Sequence, residues 1–303
     1  MKQKVFIIKN KVAAIIAATL LIIGLICYIT NAFESLFDTL FPKKLQNEVS
    51  YVEMLDVGQG DCILLYSGGK TALIDTGLKS YVKNVSKALK SKGIDTVDLM
   101  LISHNHSDHM GGIVTLTSEF KVNHLIIPDL NKTDEKTDKM KTAISNVKKS
   151  GGKSETAKKG MKVSVGDFDL SVIGCYYDEK DENDRSIIVK AKIGKWKFLF
   201  TGDAQGPTEN RLLADGADVK CDVLKIGHHG SMYGTSDEFL AAASPTFALI
   251  SCGKGNRYSH PHDVVLKRLD VLNDSPQNPG HFIAVKFSDC VLHLDFCHGG
   301  SIR

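Results

Sequence analysis

The 303-residue sequence sets 38 Lys and Arg against 35 Asp and Glu, a formal charge of +3 with His neutral, and is 43% hydrophobic. That balance excludes a disordered polyelectrolyte and leaves a globular chain with enough length for one large domain or two modest ones. A charge so close to neutral permits a polyanionic substrate without requiring one.

Lys2, Lys4, Lys9 and Lys11 precede an uncharged, almost wholly apolar run over residues 12–29. Spanning a bilayer takes about 20 residues, and no good small-x-small cleavage site follows. The pattern predicts a cytoplasmic flank over residues 1–11 and a transmembrane signal anchor over 12–30. The positive-inside rule then places the remainder outside the cell, single-pass in the membrane, or secreted if the segment is cut near Ala32. Residues 31–47 read as a juxtamembrane connector, with Phe33, Leu36, Phe37 and Leu40 at helical spacing. Six of the seven cysteines follow the anchor, most of them in apolar strand-like stretches, where free thiols behave as small hydrophobes.

From residue 48 onward the alternation of apolar positions predicts strands over 51–55, 62–66 and 71–74, with a turn at Gly58-Gln59-Gly60. A helix from Ser80 to its stop at Gly93 carries Val82, Val85 and Leu89 on one face, and residues 99–102 form a buried strand. Further strands are predicted over 122–127, 163–165, 168–173, 186–193 and 196–200, with a helix over 133–149 between the first two. The last third alternates: strand 222–226, a helix from Ser236, strand 246–251, a helix with Pro261 in its first turn, and strands 281–287 and 290–296. With no Pro/Gly/Ser-rich linker, residues 48–303 make one α+β domain, a four-layer αβ/βα sandwich.

Directly after the 99–102 strand comes Ser103-His104-Asn105-His106-Ser107-Asp108-His109, four ligand-type side chains within six positions. His is the commonest metal ligand near neutral pH and Asp adds a hard anionic oxygen, so the set suits Zn²⁺ or a similar divalent ion. On extended backbone His104 and His106 point the same way, and Asp108 and His109 can address a second ion beside the first.

The H-x-H-x-D-H pattern after an apolar strand resembles the metallo-β-lactamase superfamily, and other motifs of that family follow in order. Leu73-Ile74-Asp75-Thr76-Gly77 resembles its first motif, whose Asp orients the metal loop without ligating. Phe198-Leu199-Phe200-Thr201-Gly202-Asp203 resembles the strand that ends in a bridging carboxylate. Leu224-Lys225-Ile226-Gly227-His228-His229-Gly230-Ser231 resembles the strand that delivers the last His; His228 is preferred as ligand, with His229 the alternative. Within the superfamily, Asp56-Val57-Gly58-Gln59-Gly60-Asp61-Cys62 and Asn256-Arg257-Tyr258-Ser259-His260-Pro261 are similar to the exported hydrolase domain of ComEC-type DNA-internalisation competence proteins, with Asp56 and Asp61 outside the ligand shell.

The resemblance implies two divalent ions, Zn²⁺ or Mn²⁺, held by His104, His106, Asp108, His109, Asp203 and His228. It also implies hydrolysis by a metal-bound hydroxide, with nucleic acid as the favoured substrate. Cell-wall polymers or small esters are the rival substrates, and a non-catalytic exported binding module is the rival from another class. His260, or else Lys225, is expected to donate a proton to the leaving group or to contact the scissile phosphate. One departure stands out: where the superfamily places a third His for the first ion, this chain has Asn183-Asp184-Arg185-Ser186. His124 lies too early and reads as structural, so the first ion is expected to be held weakly or completed by Asp184, water or His260. Six lysines between Lys148 and Lys162 form a basic stretch that either tracks a nucleic-acid backbone or is simply solvated.

Overall fold

In the computed structural model, residues 50–130, 135–273, 285–287 and 292–296 are described. The predicted flank, anchor and connector lie outside them, and no helix among the described residues is long and apolar enough to cross a membrane.

Two seven-stranded sheets carry the domain. The first opens with an antiparallel meander, β1 (Ser50–Met54), β2 (Ile63–Ser67) and β3 (Lys70–Ile74). It continues in parallel through β5 (Leu99–Leu101), β7 (His124–Ile127) and β8 (Lys153–Thr156). Two short strands, β4 (Thr96–Val97) and β6 (Lys121–Val122), pair with each other beside it. The second sheet starts antiparallel with β9 (Lys162–Val165), β10 (Phe168–Gly174), β11 (Ile188–Ile193) and β12 (Trp196–Phe200). It then runs parallel through β13 (Val223–Lys225), β14 (Phe247–Ser251) and β15 (Val285–Phe287). The last strand, β16 (Leu292–Phe296), returns to the first sheet against β1.

Because successive side chains on a strand face opposite ways, each central strand feeds two cores. Ile63, Leu65, Leu99, Leu101, Phe198, Phe200 and Val223 fill the space between the sheets. Their neighbours Leu64, Met100 and Ile102 face outward, under α1 (Val82–Ser91), the short α2 (Ser107–Met110), α3 (Ile113–Glu119) and α4 (Glu135–Lys149). On the other side Leu199 and Leu224 lie under α5 (Gly206–Ala214), α6 (Asp237–Ala243) and α7 (Asp263–Asn273). The layers are therefore helix, sheet, sheet, helix, as the alternation predicts. Ser236 caps α6 by accepting the Phe239 N–H, and Gly93 ends α1 with φ of +70°.

Three elements differ from the sequence reading. Residues 153–156, taken as part of a basic loop, form the edge strand β8, whose exposed Lys153 and Glu155 guard an otherwise open edge. The helix at Gly206–Ala214 was not predicted; Pro207 opens it, and Leu212 is among its few fully buried apolar anchors. The helix after Pro261 starts only at Asp263, because His262 N still donates to Gly230 O and ties this segment to the loop before it. Cys62, Cys175 and Cys221 are free thiols, in keeping with their apolar settings.

Phe198 is fully buried between the sheets and its ring stacks 5.9 Å from that of Phe200. Phe198→Ala is expected to lower unfolding stability by about 3–5 kcal/mol, the usual cost of removing a buried aromatic ring, read from urea denaturation of the two proteins side by side.

Candidate metal centre

All the site segments leave the carboxyl ends of parallel strands, on one rim shared by the two sheets. Asp75 follows β3, Ser103 to His109 follow β5, Asp203 follows β12, His228 and His229 follow β13, and Ser251 closes β14. Hydrogen bonds across the rim hold the two sheets' loops together: Ile187 N donates to Ser103 O at 2.9 Å, and Ser251 Oγ to Gly60 O at 2.6 Å.

Asp203 sits at the centre. Its Oδ2 lies 3.2 Å from His109 Nε2, 3.3 Å from His229 Nε2, and 3.8 Å from the Nε2 atoms of both His104 and His228. His104 and His106 form one group with Asp203. His109 and His229 form a second with Asp203 and Asp61, and Asp108 Oδ2 is 3.4 Å from His229 Nε2. Asp203 therefore belongs to both groups, the placement a bridging carboxylate needs.

The Nδ1 side of each second-group imidazole is already engaged. Asp75 Oδ2 is 2.8 Å from His109 Nδ1, while Asp75 also accepts from Ser103 N at 2.7 Å and Ser103 Oγ at 2.8 Å. His229 Nδ1 donates to Ser251 O at 2.9 Å. These contacts occupy both Nδ1 atoms and leave both Nε2 atoms turned toward Asp203. Asp61 approaches the same two rings on the Nδ1 side, at 3.9 Å and 3.5 Å, and its Oδ2 is bound to Lys225 Nζ at 2.6 Å. Its carboxylate thus stands between the Nδ1 sides of those rings and the Lys225 ammonium.

The geometry favours His229 over His228 as the ligand of the second group. His229 is fully buried with Nε2 3.3 Å from Asp203 Oδ2, whereas His228 is partly exposed with its Nε2 at 3.8 Å. Two adjacent left-handed residues, His228 at φ +46° and His229 at +57°, set the two rings edge to face with centroids 6.0 Å apart, which no pattern of residue types reveals.

Charge is distributed to match. Burial opposes ionisation of Asp203, yet the His109 and His229 imidazoles hold its carboxyl well below the usual range. Burial likewise opposes charge on His109 and His229, and carboxylates, Asp203 foremost, hold both well above it. Divalent ions would take the place of those protons. His104 is held down by burial and by the neighbouring His109 charge, which keeps its ring neutral as a ligand must be. The residues fit such ions: His104 Nε2 and Asp203 Oδ1 are buried without hydrogen-bond partners, a state that buried polar atoms otherwise avoid.

A cavity of about 280 Å³ opens onto the cluster, lined by His106, Asp108, Asp203, His228, His229 and His260 together with Gln59, Lys136, Asn183 and Tyr258. The last four were not singled out as site residues: Gln59, Asn183 and Tyr258 lie in the segments set against the superfamily's motifs but are not metal-ligand types, and Lys136 sits in a helix with no such motif. His260 is placed at the cavity as expected. Asn256 holds its backbone at both ends, accepting from His260 N at 3.0 Å and donating to His260 O at 2.7 Å. Burial, and then the nearby imidazoles, hold His260 down at about 4.

Lys225 is not at the cavity: it is buried, with Nζ also donating to Gly202 O at 2.9 Å, and serves as counter-ion to Asp61. Asp56 accepts the Gly58 N–H at 3.1 Å, shaping the turn that carries Asp61. Asp184 is committed to the start of α5, where its Oδ1 accepts from Gln205 N at 3.0 Å. His124 pairs with Glu155 at 2.5 Å on the first sheet, far along the chain from any ligand and structural as read. Of the lysine stretch, Lys153 and Lys159 are engaged with Glu155 and Asp215, and none of its six members lines the cavity.

The profile of the Metallo-beta-lactamase superfamily matches residues 55–254. The chain belongs to that superfamily. Among curated proteins it is 32% identical over 238 residues to "ComE operon protein 3" of Bacillus subtilis, covering 72% of this chain and 30% of that protein. It is 29% identical over 250 residues to "Recombination protein 2" of Haemophilus influenzae, covering 80% of this chain and 29% of that one. "Competence protein ComA" of Neisseria gonorrhoeae is 26% identical, over 75% of this chain and 30% of its own length. The chain thus spans under a third of each of these relatives, which are competence proteins of the ComEC type. Among solved structures, the metallo-beta-lactamase fold protein YhfI of Bacillus subtilis aligns with a TM-score of 0.53 at 13% identity, over 80% of this chain and 99% of that one. It shares the fold.

Two substitutions test the support behind the ligands. A Cβ at Gly60 would lie 2.2 Å from the backbone oxygen of Asp108. Gly60→Ala is therefore expected to displace the Asp108 loop and lower bound metal, measured by elemental analysis of the purified protein, although Gly60 contributes no ligand. Lys225→Met leaves Asp61 buried without its counter-charge and should cost about 3–5 kcal/mol in stability, visible as a shifted urea midpoint.

Proposed function

We propose that this chain is a metal-dependent phosphodiesterase acting on nucleic acid, DNA foremost, in an exported domain tethered by residues 12–30. The observation that carries the reading is the cavity beside Asp203. Its lining includes four imidazoles and Lys136, with little apolar wall, a setting suited to an anionic, strongly hydrated group and poor for an acyl chain. The relatives named for competence and recombination add support for DNA, since both processes handle it.

Two divalent ions at the Asp203 cluster would supply a water acidified toward neutrality and a clamp on the phosphoryl oxygens as charge develops. The chain's own residues then have distinct tasks. Asp203, between the two ligand groups, holds their spacing. His228 and His260, with ring centroids 5.5 Å apart at the cavity, are placed to hydrogen-bond a phosphoryl or leaving-group oxygen. Lys136 offers a positive charge at the same opening, where it attracts a phosphate backbone. Gln59 Oε1 accepts the Gly253 N–H at 2.9 Å and so ties the loop after β14 to the loop after β1.

The test is hydrolysis of single-stranded DNA, double-stranded DNA and bis-p-nitrophenyl phosphate by the full chain in Mn²⁺ and in Zn²⁺. DNA cleavage is expected, reduced at least about a hundredfold in Asp203→Ala, since disturbing even an outer partner of a metal ligand costs about 10–100-fold. Turnover of the small diester without DNA cleavage would overturn the nucleic-acid part and point to wall polymers or small esters. Bound metal with no hydrolysis of any substrate would overturn the enzyme reading in favour of an exported binding module.

A further inference from the structure

The first ligand group is one donor short: His104, His106 and Asp203 converge, and the third imidazole usual in the superfamily has no counterpart among the described residues. The segment 182–187 runs along that side of the cluster. Glu182 Oε1 accepts from Asn105 N at 3.4 Å, between the two histidines of the group. Ser186 Oγ accepts from Asp203 N at 3.0 Å, and Ile187 N donates to Ser103 O at 2.9 Å. These three contacts sew the segment to Ser103, Asn105 and Asp203, the first two being chain neighbours of His104 and His106.

Most side chains in the segment are committed elsewhere. Asp184 is turned to the start of α5, Arg185 Nε donates to Glu179 O at 2.7 Å, and Ser186 holds the Asp203 backbone. Asn183 alone of Asn183 to Ser186 lines the cavity. Its side chain is 9% exposed and its Oδ1 is buried with no hydrogen-bond partner. An amide carbonyl left bare in a polar interior costs free energy unless a cation or donor meets it.

We propose that Asn183 Oδ1 is the missing protein donor to the first ion, so that this ion is held by two imidazoles, a carboxylate and an amide oxygen. An oxygen-rich set of this kind favours a harder ion than three imidazoles would, and directs the first position toward Mn²⁺ over Zn²⁺. The proposal rests on the reading of the Asp203 cluster as a metal pair; it does not depend on which ester is hydrolysed.

The experiment is Mn²⁺ and Zn²⁺ titration of the metal-stripped full chain, with elemental analysis after desalting and electron paramagnetic resonance of the Mn²⁺ form. Wild type is expected to take up two Mn²⁺ with the spectrum of a coupled pair. Asn183→Ala should keep one Mn²⁺, weaken the other at least about tenfold, in the range by which even outer-shell changes alter metal affinity, and give the spectrum of an isolated ion. Asn183→Asp, which keeps an oxygen in place, should retain two, and Asn183→His should shift the weaker position toward Zn²⁺. Two Mn²⁺ bound to folded Asn183→Ala with wild-type affinity would overturn the proposal, as would loss of one ion in His260→Ala but not in Asn183→Ala. Wild type that binds no metal overturns it together with the metal-pair reading. Two metals lost to one in Asn183→Ala, without DNA cleavage by wild type, would leave this inference standing while the nuclease reading fails.

Discussion

The buried charge of Asp203 organises this rim. A carboxylate taken out of water is costly unless cations or donors surround it, and here four imidazole nitrogens lie between 3.2 Å and 3.8 Å of one oxygen, with Lys225 Nζ 3.8 Å from the other. Those partners come from the loop after β5, the end of β13 and the loop that follows it, while Asp203 itself is carried after β12. Each loop is short because its strand ends at the rim, so the parallel order of the strands is what lets one carboxylate collect them all. Divalent ions would complete this compensation, which makes metal binding and rim stability two aspects of one electrostatic requirement.

Behind the ligands lies a second set of charges that never meets the cavity. Asp75 and Asp61 hold the Nδ1 sides of the histidines, and Lys225 neutralises Asp61. Several of these positions carry backbone that L-residues rarely adopt: Asp75, His228 and His229 all have positive φ. Such conformations persist only where surrounding contacts over-determine them, and they concentrate where side chains must be aimed. At Asp75 the contacts are the two bonds from Ser103 and the one to His109; at His229 it is the carbonyl of Ser251. Gly202, with φ of +54°, lets the bridging loop pass against Ser103 and Ser186, where a larger residue would collide.

Much of this was legible from residue order. The dense cluster His104 to His109 announced a metal site, because four ligand-type side chains on one short segment after a buried strand have little other use. Alternation in Ile63 to Leu65 and Phe198 to Phe200 was enough to place strands buried on both faces, and hence helices outside both sheets. Less visible were contributions with no local pattern. Gln59, Lys136, Asn183 and Tyr258 are ordinary polar or aromatic residues in their own segments and acquire a role only at the shared cavity. Lys225 shows the opposite case: beside the His228-His229 motif it looks available to substrate, but its strand position points it inward to Asp61.

The sequence by itself determined the layered α+β architecture, the superfamily, and the ligand types offered by the H-x-H-x-D-H segment, since periodicity and motif spacing are local properties of the chain. Only the tertiary structure set His229 deeper than His228, kept Lys225 and Asp184 off the cavity, and brought Asn183 to its wall. Each of those outcomes depends on backbone dihedrals at single residues and on hydrogen bonds between segments tens of residues apart, and neither is written in the pattern of residue types along the chain.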